Sequence, residues 1–227
     1  MIKAVIFDLD HTLYDRYETY VKLMDSFMER FEGQTADLPR EELMEKMVRA
    51  DKEGLYYRDW PGIFDHYLME GVFKNPPTYD EFYAYLKTAY PPCVVLHDDA
   101  IRTMEALHAM GLKTAILTNG EQSYQYSKIE HTELPAHMDD ILASREVGVE
   151  KPDPKPFLAS CERLGIQPEE AIYVGDNPLK DVDASRKIGM TPVWIRYAPP
   201  WPGDIEPTPY EIDKLYEVVD IVKKINA

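Results

Sequence analysis

At 227 residues, 44% hydrophobic and 29% charged, the chain is long enough for one full core and a smaller second unit. Its formal net charge of −16 weighs against nucleic-acid polymers and anionic membranes as partners, and it obliges any anionic substrate to find a local cation. Cys93 and Cys161 belong to no Cys-x-x-Cys or Cys/His cluster, so no zinc site is signalled; with neither a leader pattern nor an apolar run of spanning length, a reduced, cytoplasmic protein with no membrane partner is expected.

The first element is the clearest. Ile2-Lys3-Ala4-Val5-Ile6-Phe7 is a short apolar run that stops at Asp8-Leu9-Asp10-His11-Thr12, and it reads as a buried strand with two carboxylates at its exit. Residues 15–91 then read as helical, with candidate helices near 15–31, 40–54, 60–70 and 78–89. Gly33, Pro39, Gly54, Pro61-Gly62, Gly71 and Pro76-Pro77 separate them. This segment is rich in aromatics, most of which read as helix packing. Tyr14, Tyr17, Arg58 and Trp60 are the candidates to face a substrate.

From His97 the chain alternates helix and strand. A helix to Met110 ends at Gly111, strand 113–117 runs into Thr118-Asn119-Gly120, a helix covers 122–131, and a short strand lies at 140–143. Asp153-Pro154 is an N-cap and first-turn pair that opens a helix closed by Gly165. Strand 171–174 ends in Gly175-Asp176-Asn177. A single helix is expected from Pro178 to Ile188, then strand 191–195, a proline-rich loop and a closing helix over 210–225. Alternating strands and helices predict a doubly wound, Rossmann-like α/β fold with a parallel sheet, and a smaller all-helical unit inserted at 15–91 between core segments 1–14 and 92–227.

Unpaired buried carboxylates are costly, so Asp8 and Asp10 need a cation, a partner or water. In an open α/β sheet the ligand crevice lies beyond the carboxyl ends of the strands, which is where Asp8, Asp10, Thr118 and Asp176 fall, with Lys151 within reach. Taken singly, each residue also has a plainer reading. The acids suit a structural cation, Thr118 and Asp176 suit helix caps, and Lys151 suits a solvated charge.

Together these residues resemble the four motifs of the haloacid-dehalogenase-like (HAD) superfamily. The motifs are Asp8-x-Asp10-x-Thr12, Thr118-Asn119, Lys151 before Pro152-Asp153-Pro154, and Gly175-Asp176 with Asp181. The resemblance covers residues 1–14 and 92–227, and 15–91 looks like a helical cap in the first insertion position. It implies a phosphatase dependent on Mg2+, with Asp8 as nucleophile forming an aspartyl-phosphate and Asp10 as general acid and then base. Asp8, Asp10 (through its backbone carbonyl) and Asp176 would hold the metal. Thr118, Asn119 and Lys151 would bind the phosphoryl oxygens, and Asp181 would orient Lys151 or a metal-bound water. Aspartate at position 10 favours phosphate monoesters over the dehalogenase and phosphonate branches. His11 stands where relatives often carry glycine or an acid, and Asp183 where many carry glycine.

The implied substrate is a small phosphorylated metabolite, turned over by a monomer or homodimer. Two alternatives remain at this level: a sugar-phosphate mutase or other phosphotransferase of the same fold, and a catalytically silent regulatory protein that kept the site.

Overall fold

Phe7, the last residue of the first strand, lies opposite Ile116 on one side and Val174 on the other, so three strand ends finish together at one edge of the sheet. The computed structural model describes residues 1–54, 60–196 and 201–227, without the side chains of 52–54 and 60. Tyr56, Tyr57 and Arg58, and the side chain of Trp60, therefore lie outside the described residues. Among these, six strands form one parallel sheet: β1 (Ala4–Phe7), β2 (Lys113–Thr118), β3 (Asp140–Ala143), β4 (Ala171–Gly175), β5 (Thr191–Ile195) and β6 (Glu211–Ile212), ordered β3-β2-β1-β4-β5-β6. The chain builds outward from β1 through β2 to β3, then returns to β4 on the other side of β1. The switch point between β1 and β4 is where such sheets bind ligands.

All four β1 residues are fully buried, which is why the run is apolar without alternation. Ala4 and Ile6 pack on one face with Leu117, Leu142, Phe157, Cys161, Leu164 and Tyr173. The helix supplying three of these follows the 3.6-residue period. Asp153 caps it by accepting from the Lys155 N–H at 2.9 Å, and Gly165 ends it at φ 68°.

Two expected helices are shorter than the sequence suggests. The segment after Asn177 forms a wide π-helical turn (Pro178–Asp183) before a short helix, Ala184–Lys187. The wide turn brings the Asp181 side chain back to Lys151 and to the Asn177 N–H. The closing helix spans Glu217–Asn226, not 210–225. Trp194 N–H donates to Tyr210 O and Arg196 N–H to Ile212 O, both at 2.9 Å, so residues 211–212 extend the sheet as β6. Arg196 also pairs with Glu211 and Asp213 across that edge. Glu217 then accepts from the Lys214 N–H at 2.9 Å and starts the helix.

The structure divides into two units, Met1–Asp15 with Leu96–Ala227, and Arg16–Val95. The second unit contains α1 (Arg16–Arg30), α2 (Arg40–Gly54), α3 (Trp60–Met69) and α4 (Tyr79–Ala89). Its interior is aromatic: Phe64 and Phe82 lie 4.8 Å apart and Phe31 and Phe73 5.5 Å apart by ring centroid. Thr78 and Glu81 form a reciprocal capping box on α4. A buried ion pair, Arg16–Asp51 at 2.7 Å, is joined by the Tyr20 hydroxyl.

Candidate active site

Asp8 follows β1 directly and is tied to β4 by its N–H, which donates to Val174 O at 2.8 Å. Thr118 ends β2, and Gly175-Asp176 ends and follows β4. The register therefore delivers a carboxylate, a hydroxyl and a second carboxylate to one edge, all of them buried.

Lys151 reaches into this group from the loop before the Pro154–Leu164 helix. Its Nζ donates to Asp8 Oδ1 (2.6 Å), Asp181 Oδ1 (2.7 Å), the Tyr173 hydroxyl (2.7 Å) and Leu117 O (3.2 Å). Asn119 fixes the lysine's backbone: its Nδ2 donates to Lys151 O at 2.9 Å, and its Oδ1 accepts from the Lys151 N–H at 2.8 Å. The Asn119 carboxamide is thus engaged in holding the lysine loop. The Lys151–Pro152 peptide bond is cis.

Two glycines make the close approaches possible. A Cβ on Gly175 would collide with the Cβ and carboxylate of Asp181. Gly120 adopts φ 127°, and a Cβ there would sit 2.6 Å from Gln125 Nε2, which donates to Asn119 O at 2.7 Å. His11 adopts φ 61°, the left-handed region that favours glycine, which is the physical reason glycine suits that position.

Ligand atoms from Asp8, Asp176 and Asp181 lie within 4.8 Å of one another, and all three residues are buried. Burial raises the Asp8 carboxyl to about 7 against the pull of Lys151, with Asp181 and Asp10 adding to the rise. Burial also holds the Asp176 carboxyl well above its usual range, with Asp181 and Asp8 reinforcing it. Burial alone would lower the Lys151 ammonium, but the charges of Asp181 and Asp8 outweigh it and raise it well above its ordinary value. Three carboxylates facing one ammonium form a donor set that fits a hard divalent cation.

The carboxylates of Asp181 and Asp10 have partners of their own in the structure. Both oxygens of Asp181 accept hydrogen bonds, from Lys151 and from the Asn177 N–H at 3.0 Å, so its carboxylate holds the lysine. The Asp10 carboxylate instead receives Lys128 Nζ at 2.6 and 2.8 Å and the Tyr14 hydroxyl. Tyr14, a candidate to face substrate, is buried against Asp10. Lys128 and Tyr173 were not found from sequence. The signal for Lys128 was its place four residues after Tyr124 on the buried face of the helix Gln122–Glu130.

The buried acid–lysine cluster thus sits at the switch point of a parallel α/β sheet, the place where such sheets bind ligands. The profile of the "Haloacid dehalogenase-like hydrolase" family matches residues 5–195, and the chain belongs to this family and is a hydrolase. It is 34% identical to a glyceraldehyde 3-phosphate phosphatase of Methanopyrus kandleri, over 99% of each chain. It is 30% identical to a phosphoglycolate phosphatase of Nitrosospira multiformis, over 98% of this chain and 96% of that one. The crystal structure of a HAD phosphatase from Thermococcus onnurineus matches with a TM-score of 0.65 at 29% identity, covering 97% of this chain and 98% of that one.

Proposed function

We propose that this hydrolase is a Mg2+-dependent phosphatase of a small phosphate monoester that works through an aspartyl-phosphate on Asp8. The observation that carries the reading is the buried trio Asp8, Asp176 and Asp181 with Lys151 Nζ 2.6 Å from the Asp8 carboxylate. Asp8 attacks phosphorus as the bond to the leaving oxygen breaks, and Asp10 gives that oxygen its proton. Asp10 then takes a proton from the water that attacks the aspartyl-phosphate, which frees phosphate and restores Asp8. Thr118, the Asn119 backbone and Lys151 hold the non-bridging oxygens where charge accumulates. Asp8, Asp176 and the Asp10 backbone carbonyl would hold the cation, whose chemistry here is to neutralise phosphoryl and carboxylate charge. Asp181 keeps Lys151 in place.

The relatives' names make short-chain phosphate monoesters the first substrates to assay. The helical unit Arg16–Val95 is the proposed cap that selects among them. No described helix is long and apolar enough to cross a membrane, and a cytoplasmic monomer or homodimer completes the proposal.

The test is release of free phosphate from a panel of phosphorylated metabolites, with Mg2+ and with EDTA. Metal-dependent release supports the reading. Transfer of phosphate to a second sugar without release would place the protein among the mutases instead.

A further inference from the structure

A fully buried lysine is expensive unless it is paired, and Lys128 is only 2% exposed. Its Nζ lies 2.6 Å from Asp10 Oδ2 and 2.8 Å from Oδ1. The ring of Tyr14 lies 5.5 Å from that ammonium and the ring of Tyr124 5.3 Å, so aromatic faces surround it. The Tyr14 hydroxyl donates to the same Oδ1 of Asp10 and is 3.5 Å from Lys128 Nζ. The Asp10 side chain keeps 23% of its surface exposed. Asp10 is thus gripped from the protein interior by two donors while part of its carboxylate stays accessible from outside.

We infer that Lys128 is a positioning residue for Asp10, and that with Tyr14 it aims the carboxyl at the leaving oxygen of the substrate. This rests on the proposed phosphatase reading, in which Asp10 exchanges the proton. The step is balanced without any further reactant: the Asp8–phosphorus bond forms, the phosphorus–leaving-oxygen bond breaks, and Asp10, entering in its acid form, passes its proton to the departing alkoxide and is left as the carboxylate that Lys128 and Tyr14 hold. General acids contribute about 10²- to 10⁴-fold, and the contribution depends on reach and angle. A lysine that merely held the helix Gln122–Glu130 in place would affect all substrates alike.

The test separates these roles by leaving group. An alkyl phosphate needs its leaving oxygen protonated, whereas p-nitrophenyl phosphate releases a stabilised phenolate without help. Because kcat/KM reports events through departure of the leaving group, it is measured for the alkyl phosphate that the wild type turns over fastest and for p-nitrophenyl phosphate. Lys128→Met is expected to lower the alkyl value by about ten- to a hundredfold and the aryl value by less than about threefold. Lys128→Arg should recover part of the alkyl rate. Tyr14→Phe, a milder change that keeps the ring packing, should shift the same ratio in the same direction by less. A parallel fall on both substrates, or no change in the ratio for either variant, overturns the inference while leaving the phosphatase reading intact. Absence of phosphate release by the wild type from either substrate would instead remove the reading on which the inference rests.

Discussion

Replacing Asp8 with Asn and following thermal unfolding against pH, in EDTA, isolates what it costs to bury that carboxylate. Burial raises Asp8 from 3.8 to about 7, so across that window the folded state binds more protons than the unfolded chain. The group's contribution to stability is complete below about pH 4 and is lost as pH rises through 7. At about 1.4 kcal/mol per pH unit, the whole span corresponds to roughly 4 kcal/mol, or on the order of 10 °C in Tm for a chain of this size. Asn cannot ionise, so the variant's Tm should decline less between pH 5 and 8 than the wild type's. His97, which burial lowers below its ordinary value, works in the opposite direction, because its contribution to stability grows as pH rises; it is common to both proteins and cancels in the comparison. Adding Mg2+ at pH 8 should restore most of the wild type's loss and little of the variant's, because a cation that binds only the folded state adds stability by mass action. Parallel Tm–pH curves for the two proteins in EDTA would refute the electrostatic account of the cluster.

Lys151→Met removes the ammonium between Asp8 and Asp181 and leaves both carboxylates buried. A loss of about 3–5 kcal/mol is expected by denaturant unfolding, with turnover abolished, and a loss below about 1 kcal/mol would contradict the pairing geometry. Gly175→Ala drives a methyl group into Asp181. It should cost about 1–3 kcal/mol and reduce kcat more than KM, since the displaced group positions Lys151, and unchanged kinetics would show that the wide turn accommodates a side chain.

The core strands were legible because parallel strands buried on both faces must be apolar throughout. Ala4–Phe7 and Ala171–Gly175, buried along their whole length, start and stop within a residue or two of where composition changes. Asp8 and Asp176 come together because the register aligns the ends of β1 and β4, and the carboxylate-bearing strand exits announced that edge. Side-chain direction was not legible. The sequence shows Asp10 two residues from Asp8, but nothing local reveals that its carboxylate meets a lysine far along the chain, on a helix with little apolar content. Asn119 was singled out in the sequence, yet its bonding to the Lys151 backbone depends on how two loops meet. The Pro178–Asp183 turn reads as ordinary helix because its widening serves one distant bond, from Asp181 to Lys151. Residues 211–212 read as helix because β6 is made by edge hydrogen bonds to Trp194 and Arg196 rather than by its own composition.

The most direct test of the central claim is to stop turnover in acid and map covalent phosphate by peptide mass spectrometry. The account predicts one phosphoryl group on the peptide carrying Asp8, present only with Mg2+ and absent in Asp8→Asn. Phosphate on another residue, or undiminished turnover by Asp8→Asn, would contradict it.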